Sequence, residues 1–171
     1  MNCKNLRDVC ETVPSFPPGK ILRGGSIDYH PKTILNLRQQ PDDEKQFPSE
    51  SITYIQFAKE RDLDAYNVQD KSVQKWVIEV VKQFERNDIQ FPVLIHCASG
   101  KDRTGVIVAC LLLICDVDRK QVELDFATSK GVTSDHKQMF TEAMDFILVK
   151  RGLKQFFRSV KIDQIKTNLI L

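Results

Sequence analysis

The chain has no Cys-x-x-Cys pair, no surplus of either charge and no apolar run long enough to cross a bilayer. Its five cysteines, Cys3, Cys10, Cys97, Cys110 and Cys115, are odd in number. That argues against a disulfide framework and for a reducing compartment, so a cytoplasmic location is expected. The three histidines, His30, His96 and His136, are scattered, and nothing has zinc-ligand spacing. No metal or other cofactor is expected. A net charge of +2 carries no general attraction for nucleic acid, which is therefore not expected as a partner. The longest apolar stretch, residues 106–115, falls well short of the ~20 residues of a membrane helix, so no integral membrane segment is expected. The start, Met1-Asn2-Cys3-Lys4-Asn5, lacks an apolar h-region and a glycine at position 2. Neither a signal peptide nor myristoylation is expected. There is no internal repeat and no low-complexity tract.

What is present is 171 residues, 42% apolar and 28% charged, enough for one domain with a sizeable core. Residues 1–19 read as an N-terminal arm, because Pro14, Pro17 and Pro18 favour an extended lead-in. Residues 20–171 read as a single domain. Strands are expected at 20–23, 33–37, 52–57 and 91–96, the last apolar enough for a buried parallel strand. Val73, Trp76, Val77, Val80, Val81 and Phe84 follow helical spacing, with Asp70 or Ser72 as cap. Residues 106–114 read as a second helix, and Cys110 and Cys115, taken with this apolar run, read as small core residues. Asp118 with Gln121 resembles a reciprocal cap, opening a helix that ends near Gly131. Met139, Phe140, Ala143, Met144, Ile147 and Leu148 form another stripe closed by Gly152. Leu153, Phe156, Phe157 and Val160 form one more. Phe84, Phe140 and Phe156 are assigned to the core. The order predicts an α/β fold: a central, mostly parallel sheet of four to five strands flanked by helices. Such sheets bind ligands at the carboxyl ends of their strands.

At one such end stands His96-Cys97-Ala98-Ser99-Gly100-Lys101-Asp102-Arg103-Thr104-Gly105. A thiol and a guanidinium lie at opposite ends of a glycine-bearing loop that runs into a helix. Backbone N–H groups of Ala98, Ser99, Gly100, Lys101 and Asp102, with the helix dipole, suit the oxygens of a phosphate. Arg103 can grip two of those oxygens at once, which a lysine cannot. Cys97 can attack phosphorus as a thiolate, which the same positive field favours. Gly100 lets the backbone turn inward. Taken alone, a cysteine at a strand end is an inert core residue; beside Arg103 and Gly100 it reads as a nucleophile. The Walker-type loop, Gly-x4-Gly-Lys-[Ser/Thr], is absent.

The stretch resembles the Cys-x5-Arg signature of the protein tyrosine phosphatase superfamily, in the form His-Cys-x-x-Gly-x-x-Arg-[Ser/Thr]-Gly, and its layout is similar to the small dual-specificity-like members. The resemblance implies the cysteine-phosphatase fold and a phosphatase domain over 20–171. It implies hydrolysis of phosphate monoesters through a phosphocysteine, with no cofactor. His96 would hold the loop, and Thr104 would donate to the departing thiolate. Gly100-Lys101 is similar to lipid-directed members and to a plant and fungal atypical group, some of which act on inositol pyrophosphates. That group usually carries histidine where this chain has Asp102. Lys101 reads either as a charge for an anionic substrate or as a solvated lysine.

The resemblance also implies an acid that protonates the leaving oxygen. No Trp-Pro-Asp triplet is present. Asp62 and Asp64 stand in the expected region, and Asp102 is a rival inside the loop. Asp42 and Asp43 rank behind them on position. Lys59, Arg61 and Lys71 form a basic rim or a solvated charge run. Arg38 is given no substrate role. Phosphorylated proteins, phosphoinositides and inositol phosphates are all admissible substrates. The alternatives are a catalytically weak phosphate-binding scaffold, or an enzyme similar to rhodanese or arsenate reductase.

Overall fold

The computed structural model describes residues 4–25, 30–47, 51–57 and 64–171. Five strands, β1 (Arg7–Asp8), β2 (Ile21–Gly24), β3 (Thr33–Asn36), β4 (Thr53–Gln56) and β5 (Val93–His96), form one sheet in the order β1-β2-β5-β3-β4. β5 lies between β2 and β3 and is parallel to both, with Gly24 and Asn36 each opposite His96. β4 continues the parallel set beside β3. Only β1 runs antiparallel, pairing Arg7 with Arg23. The mostly parallel sheet expected from the sequence is therefore present. β5 begins at Val93 rather than at residue 91, because Pro92 has no N–H to give the ladder. Its carbonyl instead accepts from Lys32 and Thr33.

Among the described residues, six α-helices flank the sheet: α1 (Lys71–Lys82), α2 (Asp102–Ile114), α3 (Arg119–Thr128), α4 (Ser134–Asp145), α5 (Leu153–Phe156) and α6 (Ile162–Ile170). α1 is amphipathic, buries Val73, Trp76, Val77, Val80 and Val81, and is capped by the Asp70 carboxylate. α2 is buried without a break from Thr104 to Ile114 and packs on β5, α1, α3 and α6. A helix that is apolar all round belongs in the middle of a core. Asp118 caps α3 through the N–H of Lys120, but Gln121 does not return the bond, accepting instead from Ser15. α3 ends at Thr128, three residues before Gly131. α4 runs on into a π-helical turn, Phe146–Arg151, which Gly152 stops at φ 82°. Phe84, Phe140 and Phe156 are in the core, as expected. So is Cys110, whose thiol burial pushes up to about 12; Cys115, also expected in the core, is instead half-buried at the end of α2, where the helix meets solvent.

The stretch expected as an arm does more than lead in. It supplies β1, and Val9, Val13 and Phe16 are buried in the main core. Helix α6 also has no counterpart in the sequence reading; Ile165 and Leu169 anchor it. Among the described residues, no helix is long and apolar enough to cross a membrane.

Candidate active site

The loop from Cys97 to Lys101 connects the end of β5 to the start of α2, at the carboxyl edge of the parallel strands. It lies against the end of β2. The N–H of Cys97 donates to Gly24 O at 3.3 Å. Gly100 sits at φ +67°, and a Cβ on it would lie 2.4 Å from the carbonyl carbon of Gly24. Only a residue without a side chain fits there. Gly25 faces Ser99 in the same way, with 2.9 Å to its carbonyl carbon. The pair Gly24-Gly25, at the end of β2, is thus the floor on which the loop lies.

The Thr104 hydroxyl donates to Cys97 Sγ at 3.1 Å, and both side chains are buried. Arg103 is half-buried in the first turn of α2 and donates to Leu37 O at 3.2 Å. Both Cys97 and Arg103 line one open cleft of about 460 Å³, with Asp64, Ala65, Tyr66, Ala98, Ser99, Asp102, His136 and Met139. Among the described residues, no group accepts from the N–H groups of Ala98, Ser99, Gly100 or Lys101. Four free donors between a thiol and a guanidinium form a nest for an oxyanion.

His96 is fully buried, and its Nε2 lies 2.6 Å from Asp42 Oδ2. Asp42 in turn accepts from Arg38 at 2.6 Å. Asp42, considered from sequence only as a distant candidate acid, is therefore the partner of His96. Arg38 braces that pair and stands clear of the cleft lining.

Of the three candidate acids, Asp64 and Asp102 line the cleft, and Asp62 lies outside the described residues. Asp102 Oδ1 accepts from the Tyr66 hydroxyl at 2.5 Å. Burial, then the bond to Asp102, pushes the Tyr66 phenol well above its usual range, so Tyr66 stays neutral and a donor. Asp64 is exposed, and its Oδ1 accepts from the N–H of Tyr66 at 3.0 Å. Lys101 Nζ reaches His136 Nε2 at 3.1 Å and Gly131 O at 3.4 Å. It also lies 3.7 Å from Asp102 Oδ2. His136, on the first turn of α4, had no signal in the sequence; 39 positions of chain separate it from Cys97. Of the basic rim, Lys59 and Arg61 lie outside the described residues, and Lys71 is exposed at the start of α1.

Three comparisons bear on this site. Among curated proteins, inositol diphosphatase DSP4 of Arabidopsis thaliana is 33% identical over 126 residues. The match takes in 70% of this chain and 60% of that protein, so the chain spans about three-fifths of that relative's length. Among solved structures, TpbA of P. aeruginosa aligns over 86% of this chain and 84% of its own, with a TM-score of 0.54 and 16% identity. A cysteine-to-serine variant of TpbA in complex with phosphotyrosine aligns equally well. At that identity the likeness speaks for the fold. The sequence model described as the tyrosine phosphatase family matches residues 2–164. The chain belongs to the tyrosine phosphatase family.

Proposed function

We propose that the protein is a cysteine-dependent phosphatase that works through a phosphocysteine and takes a multiply phosphorylated inositol as substrate. The observation that carries the mechanism is the Thr104 hydroxyl on Cys97 Sγ, in a cleft that Arg103 also lines. In the first step Cys97 attacks phosphorus and the bond to the leaving oxygen breaks. Arg103 and the free N–H groups of the loop hold the charge that builds on the other three oxygens. In the second step water attacks phosphorus and gives a proton to the carboxylate that served as acid in the first, the S–P bond breaks, and Thr104 donates to the sulfur as the thiolate leaves.

Asp64 is the proposed proton donor to the leaving oxygen. One of its carboxylate oxygens is held by a backbone N–H while the side chain stays open to the cleft. Asp102 is less available, since Tyr66 occupies it. The inositol reading rests on the cation that Lys101 adds to the nest, held there beside His136, and on the name of the plant relative. Cys10, Cys97, Cys110 and Cys115 are all free thiols, which supports a reducing, cytoplasmic setting.

The test is phosphate release from inositol diphosphates, phosphoinositides and a phosphotyrosine peptide, with EDTA present and Cys97→Ser as control. The proposal expects Cys97-dependent release, fastest from the inositol diphosphate. Fastest release from the peptide would overturn the substrate class. No release from any of them by folded protein would favour a phosphate-binding scaffold. Asp64→Asn should lose most activity toward an alkyl phosphate and little toward a diphosphate bond, whose leaving group is itself a stable anion. The same loss in Asp62→Asn or Asp102→Asn, and not in Asp64→Asn, would reassign the acid.

A further inference from the structure

Behind the loop, on the side away from the cleft, lies a buried charge cluster. Arg23 on β2 is fully buried, and Asp125 on α3 nearly so. Arg23 Nη1 donates to Asp125 Oδ2, and its Nη2 donates to Gly100 O at 3.2 Å and Ser129 Oγ at 3.4 Å. Arg7 on β1 takes the same carboxylate, donating to Oδ1 at 2.9 Å and to the Asp125 carbonyl at 2.7 Å. The Thr12 hydroxyl adds a third bond at 2.6 Å. Burial alone would raise the Asp125 carboxyl, but Arg23 and Arg7 outweigh it and hold it below its ordinary range. A second tie comes from Asn5, whose Nδ2 donates to Ser99 O at 2.8 Å while its Oδ1 accepts from Lys130 N–H at 2.6 Å.

Two successive loop carbonyls are thus held from outside, Ser99 O by Asn5 and Gly100 O by Arg23. Both peptides are trans, and in a planar trans peptide the N–H points opposite to the C=O. Holding Ser99 O outward turns the Gly100 N–H inward. Holding Gly100 O outward does the same for Lys101. These are two of the four N–H groups with no acceptor among the described residues. We infer that Arg23 and Asn5 are positioning residues for phosphate, turning the Gly100 and Lys101 amides toward the cleft without touching the ligand themselves. A flipped peptide would present a carbonyl to the phosphate, converting attraction into repulsion. The inference rests on the phosphatase reading and adds the part of the molecule that keeps the loop in register.

The test compares Arg23→Lys and Asn5→Ala with Thr12→Val, in the full chain. Arg23→Lys keeps the charge but loses the fork that spans Asp125 and Gly100 O. Thr12→Val removes a bond to the same carboxylate without touching the loop. The measurements are the affinity for inorganic phosphate and, separately, KM and kcat for an aryl phosphate, with a melting curve for each variant. Arg23→Lys and Asn5→Ala should weaken phosphate by about tenfold to a hundredfold, whereas Thr12→Val should stay within about threefold at a comparable loss of melting temperature. Phosphate affinity in Arg23→Lys equal to that of Thr12→Val would overturn the role of Arg23. Should Arg23→Lys fail to fold, Asn5→Ala decides by the same criterion, because its side chain is outside the buried cluster. Wild-type protein that neither binds phosphate nor turns over an aryl phosphate would remove the phosphatase reading, and this inference with it. Active wild type with unaffected variants would remove this inference alone.

Discussion

Replacing Gly100 by alanine should abolish most activity while leaving a folded protein. The added Cβ would lie 2.4 Å from Gly24 C, 2.7 Å from Gly25 N and 2.8 Å from Gly24 O. Non-bonded carbons rest at about 3.5 Å, so loop and strand must part by about 1 Å. The neighbours are backbone atoms of β2 and the residue after it, which cannot swing aside as a side chain would. A misplacement of about 1 Å at an active site costs on the order of 100-fold in rate, equivalent to about 2.7 kcal/mol of transition-state stabilisation. The backbone angle of +67° adds a separate strain of about 1 kcal/mol to stability. Gly152 serves as a control for backbone strain without a clash: it sits at φ +82° and ψ 135°, and nothing lies within 4 Å of its Cβ position. Aryl phosphate hydrolysis and thermal melting of both variants separate the two effects. Gly100→Ala should lose about 100-fold or more in kcat/KM, and Gly152→Ala should melt earlier with kcat/KM within about twofold of wild type. If folded Gly100→Ala turned over as fast as Gly152→Ala, the close approach of loop and β2 would not be what shapes the site.

Thr104→Val should slow the breakdown of the phosphoenzyme more than its formation, giving a burst followed by a depressed steady state in stopped-flow traces; equal slowing of both phases would refute the assigned role of the hydroxyl. Asp125→Asn leaves Arg7 and Arg23 buried without their carboxylate and should cost about 3 kcal/mol or more at pH 7 in urea unfolding. The folded carboxyl lies below its ordinary value, so as pH falls the unfolded chain takes up that proton first. The Asp125 contribution is complete above about pH 4 and disappears as pH drops through the lower folded value, so the gap to Asp125→Asn should narrow in acid. A gap constant from pH 7 to pH 3 would contradict the pairing. Gly105→Ala places a Cβ 2.8 Å from the Phe126 ring and should cost about 1–3 kcal/mol, with Phe126→Leu relieving part of it in a double-mutant cycle.

The parts of this protein with strong local patterns were legible in the sequence. The stripe of α1, the apolar run of β5 and the spacing of Cys97 and Arg103 each carry their information within a few residues. The parts that depend on distant partners were not. β1 is two residues long, too short for any alternation to register. Arg23 interrupts an otherwise apolar strand, Ile-Leu-Arg-Gly, and only the position of Asp125, 102 residues away, explains why a guanidinium is buried there. Asp42 follows a proline in a polar stretch that reads as a solvated loop, and its bond to His96 spans 54 residues. His136 looked like one of three isolated histidines until α4 brought it to the cleft. Gln121 had the right residue type for a reciprocal cap and was drawn instead to Ser15.

The ties from Asn5 to Lys130 and from Arg7 to Asp125 join points 125 and 118 residues apart. Contacts of such separation close large loops and form late in folding. Cys97, Arg103 and the helix behind them all lie within residues 97–114, a stretch that can assemble locally. The carbonyl of Ser99 gains its outside partner only when Asn5, at the beginning of the chain, meets the loop and the turn after α3, and that of Gly100 only when β2 pairs beside β5. Catalytic competence is therefore a report on completed folding. A partly folded chain, or one that has lost its first residues, would carry every side chain of the cleft and still leave Ser99 O without its tie. Activity should then vanish before secondary structure does as denaturant rises, making turnover the most sensitive gauge of the native state in this molecule.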